Sequence, residues 1–155
     1  TALSELALST DIIVGFPGET EEDFEETLSL VREARFASAY TFIYSKRPGT
    51  PAEKYEDNTP HEVIQARFDR LAELVAQLAH DENQKDLDTM QPVLVEGTSK
   101  RDKKVMVGHS EKNQTVHFAL SENYEPKDLI GKIVDVHIGE ARTWYLRGTM
   151  ESDPR

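Results

Sequence analysis

The spacing of apolar side chains changes once along the chain. Up to about residue 80 they fall in short runs or at helical intervals, and from Gln91 onward they alternate with polar residues. Ile12-Ile13-Val14 is a continuous apolar run between Asp11 and Gly15, the pattern of a strand covered on both faces in a parallel sheet. Thr20 and Asp23 stand at capping-box spacing and predict a helix N-terminus. Glu21, Glu22 and Asp23 place negative charge where the helix dipole favours it. Phe24, Leu28 and Val31 follow at i, i+4 and i+7, an apolar stripe that can lie on a sheet. Tyr40 to Tyr44, rich in aromatic and β-branched residues, predicts the next strand. Strand, helix and strand in this order imply a right-handed parallel crossover.

Pro48, Gly49 and Pro51 end that strand. Thr59, Pro60 and Glu62 then predict a second helix, with an N-cap, a proline at the first helical position and a capping-box acid. Ile64, Phe68, Leu71, Val75 and Leu78 form its stripe. The tail His80–Asp88 carries none and is expected to be a polar hinge. Beyond it, Val93/Val95, Val105/Val107, Val116/Phe118, Val134/Val136/Ile138 and Trp144/Leu146 alternate with polar residues. Turn signals lie between them at Gly97-Thr98-Ser99, Asn113-Gln114, Pro126–Asp128 and Gly139. Five short strands so spaced predict a small closed antiparallel barrel of the OB type, an architecture that often binds nucleic acid.

Charge sharpens this division. The chain of 155 residues has a formal net charge of −11. Residues 1–88 hold 19 Asp/Glu against 8 Lys/Arg, whereas residues 89–155 hold 10 of each. The expected domains are therefore 1–88 and 89–152. The second concentrates Lys100, Arg101, Lys103 and Lys104 in five positions, either a grip for a polyanion or a solvated lysine-rich turn. No apolar run approaches the ~20 residues that span a bilayer, and no charged leader with an apolar core precedes the first strand. Thr1 at the start suits a piece of a longer chain. Zero cysteines exclude disulfides and cysteine-ligated metal within it.

The chemistry-bearing candidates sit mainly in loops. Gly15-Phe16-Pro17-Gly18-Glu19-Thr20 joins a strand end to a helix start, where glycines permit close approach and helical N–H groups can face a ligand. It is neither a dinucleotide fingerprint nor a P-loop, and a purely structural turn is the alternative. Arg47 is either a bidentate grip for carboxylate or phosphate or a surface arginine. Asp11 is either a group facing a barrel lumen or a cap. The five histidines, at 61, 80, 109, 117 and 137, have no metal-ligand spacing. The acidic runs at 19–26 and 81–88 read as solvated helix surface. Trp144 and Tyr145 could stack on bases, although strict alternation would send one of them into the core.

Two loops and the barrel together resemble a known family. Thr10-Asp11-Ile12-Ile13-Val14-Gly15-Phe16-Pro17-Gly18-Glu19-Thr20 and Phe42-Ile43-Tyr44-Ser45-Lys46-Arg47-Pro48-Gly49-Thr50-Pro51 resemble late strands of the radical S-adenosylmethionine barrel of methylthiotransferases. Leu94-Val95-Glu96-Gly97-Thr98-Ser99-Lys100, Gly108-His109-Ser110 through Val116-His117-Phe118, Ile130-Gly131-Lys132-Ile133-Val134-Asp135-Val136 and Leu146-Arg147-Gly148 resemble their RNA-binding TRAM domain. His109 and Gln114 stand where that family commonly has arginine.

The resemblance implies an α/β plus all-β chain: the C-terminal fragment of a radical SAM (β/α) partial TIM-like barrel, followed by a small five-stranded OB-like TRAM β-barrel. Within the family the Glu-Gly-Thr-Ser-Lys-Arg turn is most similar to the tRNA branch. That branch adds a 2-methylthio group to N6-isopentenyladenosine beside the anticodon, in the cytoplasm, using S-adenosylmethionine and two 4Fe–4S clusters. Asp11, Gly15, Phe16, Pro17, Gly18, Ser45 and Arg47 would then line part of the S-adenosylmethionine pocket. Lys100, Arg101, Lys103, Lys104, His109, Asn113 and Arg147 would meet the tRNA anticodon stem-loop. Without cysteine the chain would hold no cluster and be inactive without the missing N-terminal domains. The alternatives are the ribosomal-protein methylthiotransferase branch and a non-catalytic RNA-binding module.

Overall fold

The computed structural model describes residues 6–56 and 58–155. Two compact units emerge, Leu8–Leu78 and a second containing Ala79–Arg155, the division falling inside a helix.

In the first unit β1 (Ser9–Val14) and β2 (Ser38–Ile43) pair in parallel, with Ser9 opposite Ser38 and Val14 opposite Ile43. The crossover is α1 (Glu21–Ala34), which starts as its sequence dictates. Asp23 N–H donates to Thr20 Oγ1 at 3.1 Å, and Thr20 N–H returns a bond to Asp23 Oδ2 at 2.9 Å. The Thr20 N–H first, and the Thr20 hydroxyl donating to the same Oδ2 at 2.8 Å second, hold the Asp23 carboxyl below its usual pKa. Phe24, Leu28 and Val31 are buried against Val14 and against Leu71, Val75 and Leu78 of α2 (His61–Gln84). The α2 ladder opens on the Pro60 carbonyl, which accepts from Ile64 N–H at 3.3 Å, so the helix begins just after the proline rather than on it.

Ile12 and Ala39 pack into this core with the helices. The opposite face of the sheet has no covering layer among the described residues. Ile13 is 54% exposed, Tyr40 61% and Phe42 51%. The expected two-sided burial of the Ile12–Val14 run is thereby corrected: one face is packed, and the face bearing Asp11, Ile13, Tyr40 and Phe42 meets solvent.

In the second unit β3 (Met90–Thr98), β4 (Val105–Ser110), β5 (Thr115–Ala119), β6 (Ile133–Ala141) and β7 (Leu146–Met150) close a barrel in the order β3-β4-β5-β7-β6. Only β5 and β7 run parallel. A one-turn helix, α3 (Pro126–Leu129), precedes β6. Val93, Val95, Met106, Val116, Phe118, Leu129, Val134, Val136, Ile138 and Leu146 form one buried core. Full burial of each larger member stabilises by roughly 1.5–3 kcal/mol.

The alternation holds for β3, β5 and β6, but its phase on β4 is inverted. Met106, Gly108 and Ser110 face inward, while Val105 and Val107 stand on the outer face. Gly108 tolerates no side chain, because a Cβ there would lie 2.2 Å from the Leu94 carbonyl oxygen.

The segment after Leu78 is no solvated hinge. Asn83 and Asp86 are buried and bonded within the barrel unit. Asn83 Nδ2 donates to the Arg142 carbonyl at 2.7 Å, and Asp86 accepts from Gln114 Nε2 at 2.6 Å and from Lys112 Nζ at 2.7 Å. The reading of 81–88 as solvated surface fails at Asp86, which fixes the segment through charge-assisted bonds. Among the described residues no helix is long and apolar enough to cross a membrane.

Candidate nucleic-acid interface

The barrel carries a groove of about 710 Å³ on its outer face. Its floor comes from the inverted phase of β4. Val105 and Val107 line it, and Val107 pairs across to His117 on β5, which pairs in turn with Arg147 on β7. Glu96, Gly97 and Thr98 from β3, the loop Ser99–Asp102 and Tyr145 complete the walls. The lining includes the second and third barrel strands and the loops after the first and fourth, the region with which OB barrels meet oligonucleotides.

The loop is set by its own polar side chains. Ser99 N–H donates to the Val105 carbonyl at 2.7 Å, Lys104 N–H to Asp102 Oδ1 at 2.9 Å, and Arg101 N–H to Ser99 Oγ at 3.3 Å. Lys100 and Arg101 line the groove, whereas Lys103 and Lys104 lie on the same loop outside the lining. Lys103 Nζ donates to Thr98 Oγ1 at 3.5 Å.

Tyr145 and His117 meet edge to face, ring centroids 5.1 Å apart. The Arg147 guanidinium lies 6.0 Å from the Tyr145 ring centroid and 3.8 Å from Glu140 Oε2. Burial first, and the Arg147 charge second, push the His117 pKa below its usual value. Trp144 is 62% exposed, and it is Leu146 that enters the core. The expectation that Trp144 or Tyr145 must face the core is corrected: both precede β7, so strand alternation does not govern them.

His109 and Asn113 lie toward the other end of the β4–β5 pair. His109 Nδ1 sits 3.0 Å from Glu96 Oε1. Asn113 has φ +60° at the hairpin tip, and its N–H donates to the Ser110 carbonyl at 2.9 Å, a turn role that asparagine's tolerance of the left-handed region explains. Gln114 turns inward to Asp86. The groove thus gathers Lys100, Arg101 and Arg147 of the seven expected contacts together with the stacking candidate Tyr145, and adds His117 and Val107. No lone residue of these carries a sequence signal; the register does.

In the first unit, Gly15, Phe16, Pro17, Gly18, Ser45 and Arg47 follow the C-terminal ends of β1 and β2, while Asp11 lies on the uncovered face. Gly15 adopts φ +74°, and a Cβ on it would lie 2.6 Å from Ile64 Cγ2. Its N–H is taken by Glu19 Oε2 at 2.9 Å, and the Glu19 N–H by the Phe16 carbonyl at 2.9 Å. The buried Arg67 side chain clamps this loop, donating to the Glu19 carbonyl at 3.0 Å, Glu19 Oε2 at 3.1 Å and Glu21 Oε2 at 3.0 Å. Arg70 and then Arg67 hold the Glu21 carboxyl below its ordinary pKa. The acidic run at 19–26 is therefore partly a locked network, with Arg70 also paired to Glu25. Phe16 rests edge-on to Tyr44 at 5.1 Å. Asp11, Ser45 and Arg47 are exposed. Among the described residues no group of His, Asp and Glu could hold a metal ion.

Residues 88–150 match the TRAM domain family. Over 98% of its length the chain is 50% identical to the tRNA-2-methylthio-N(6)-dimethylallyladenosine synthase of Geobacillus thermodenitrificans, covering 28% of that protein. It is 49% identical to the synthase of the same name from Geobacillus kaustophilus, again over 98% of the chain and 28% of the relative. Against that of Acetivibrio thermocellus the identity is 47% over 96% of the chain and 30% of the relative. The chain spans less than a third of the length of these relatives. The groove described above lies wholly within the residues that match the TRAM family.

Proposed function

We propose that this chain is part of a cytoplasmic tRNA methylthiotransferase, the enzyme that adds a 2-methylthio group to N6-isopentenyladenosine beside the anticodon. Its TRAM domain holds the tRNA. Identity near one half along almost the whole chain to synthases named for that modification carries the reading. The alternation of a basic loop with a neutral barrel supports the RNA role, since phosphate neutralisation by Lys and Arg drives such binding.

In this reading the β1-α1-β2 unit is a fragment of a radical SAM (β/α) barrel. The uncovered face bearing Asp11, Ile13, Tyr40 and Phe42 suits a sheet completed by further strands of the same protein. The charge division suggests domain limits of 1–88 and 89–152, whereas the packing joins residues 79–88 to the barrel unit. The cluster chemistry does not fit the residues present, because Fe–S clusters need thiolates and the chain has no cysteine. Any S-adenosylmethionine would be met by exposed Asp11, Ser45 and Arg47. The Gly15 loop, whose donors at Gly15 and Glu19 are already occupied, gives shape rather than hydrogen bonds.

A segment exchange tests this. The chain replaces the matching segment of the Geobacillus thermodenitrificans synthase, and nucleosides of tRNA modified by the hybrid are analysed by mass spectrometry. Formation of the 2-methylthio nucleoside is expected. A folded hybrid with its clusters loaded that leaves tRNA unmodified contradicts the proposal.

A further inference from the structure

The groove of the TRAM domain has features that a phosphate track alone does not require. Its cations, Lys100, Arg101 and Arg147, share the walls with the carboxylates of Glu96 and Asp102. Glu96 is engaged by His109 at 3.0 Å and Asp102 by the Lys104 N–H at 2.9 Å, so both are held in place. Fixed negative charge along part of the wall repels a continuous run of phosphates and confines the phosphate contact to the arginine and lysine positions. Between these groups lie two half-buried rings, Tyr145 and His117, set at 66° to each other over the Val107 floor. Rings at such an angle form a corner, into which a planar group can pack against one face and one edge.

We infer that this groove is a cradle for one unpaired nucleotide of RNA, its base packed in the Tyr145–His117 corner and its phosphate held by Arg147 with Lys100 or Arg101. The inference rests on the reading of the domain as an RNA grip and specifies what that reading leaves open, the form of RNA gripped. A base inside a duplex has both faces covered by its neighbours, whereas an unpaired base can be splayed out and stacked on an aromatic side chain. A groove of about 710 Å³ is of small-molecule-site size and suits a nucleotide rather than a helix. Arg147, its side chain 57% exposed, can follow the phosphate without leaving β7.

Fluorescence anisotropy of the full 155-residue chain provides the test. The probes are a labelled single-stranded oligouridylate and a labelled blunt RNA duplex of equal charge, at one salt concentration. The single strand is expected to bind about tenfold tighter or more. Tyr145→Ala should weaken single-strand binding at least about fivefold, the lower end for one lost base stack. It should leave the salt slope unchanged, because no phosphate contact is removed. Tyr145→Phe, which keeps the ring, should retain the affinity. If Tyr145→Ala unfolds, Tyr145→Leu keeps apolar volume without a ring and carries the same expectation. RNA binding that is indifferent to strandedness or to the loss of the Tyr145 ring overturns the cradle alone. No binding of either RNA by the wild-type chain overturns the RNA grip and the cradle with it.

Discussion

Gln114 Nε2 donates to the buried Asp86 carboxylate at 2.6 Å, tying the tip of the β4–β5 hairpin to the segment that leads into the barrel. Lys112 reaches the other oxygen of that carboxylate at 2.7 Å, and Gln114 also bonds Asn83 Oδ1 at 3.0 Å. An arginine at position 114 would invite a phosphate-binding reading, but here the side chain points inward and its work is structural.

Asp86→Ala should therefore destabilise the chain by about 2–3 kcal/mol, as expected when a buried charged acceptor is lost and its donors are left unpaired. Urea denaturation of the wild type and variant measures this. Gln114→Ala should cost less, about 1–2 kcal/mol, and leave RNA affinity at the groove unchanged. Loss of affinity in a stable Gln114→Ala chain would assign that residue to RNA after all.

Gly15→Ala should destabilise the first unit by about 2 kcal/mol. The residue occupies φ +74°, where an L side chain is strained, and its Cβ would strike Ile64 Cγ2 at 2.6 Å. Adding Ile64→Ala removes the clash but not the backbone strain. The double-mutant cycle should accordingly show a favourable coupling in thermal or urea unfolding, and simple additivity would refute the contact.

Much of this architecture is legible in the chain. The Thr20–Asp23 capping box, the Phe24/Leu28/Val31 stripe and the inward phase of Val116 and Phe118 are local patterns, and local patterns register in sequence. The phase of β4 is not, because Met106, Gly108 and Ser110 present a weaker apolar signal than the two valines that form the groove floor. Arg67, Asn83 and Asp86 escape for another reason. Their partners lie far along the chain, Arg67 to Glu19 across 48 residues and Asn83 to the Arg142 carbonyl across 59. No period or spacing encodes such a pair. His117 and Arg147 likewise meet only through the parallel β5–β7 register.

His117 gives the pH dependence. Its folded pKa lies below the ordinary value near 6.5, through burial first and Arg147 second. Between that lowered value and about 6.5 the unfolded chain binds more protons, so stability falls as pH drops through this window. Protonation also adds a cation to the groove, so RNA affinity should rise as stability falls. Urea unfolding and RNA titration at pH values from about 7.5 to 5.5 stay above the range of Glu21, Asp23 and Asp135, whose folded carboxyls titrate lower still. His117→Gln should flatten both profiles relative to the wild type. Profiles unchanged by the substitution would remove His117 from the groove's electrostatics.

The central claim is that the five-stranded barrel grips RNA through the basic loop and Arg147. Titrating the chain against a labelled tRNA anticodon stem-loop at several salt concentrations tests it most directly. The logarithm of affinity should fall linearly with the logarithm of salt, by roughly 0.7 for each single-strand phosphate contact. Replacing Lys100, Arg101, Lys103 and Lys104 together with alanine should weaken binding and flatten that slope across RNA sequences. Affinity and slope unchanged in the quadruple variant would contradict the account, leaving the loop as a solvated lysine-rich turn.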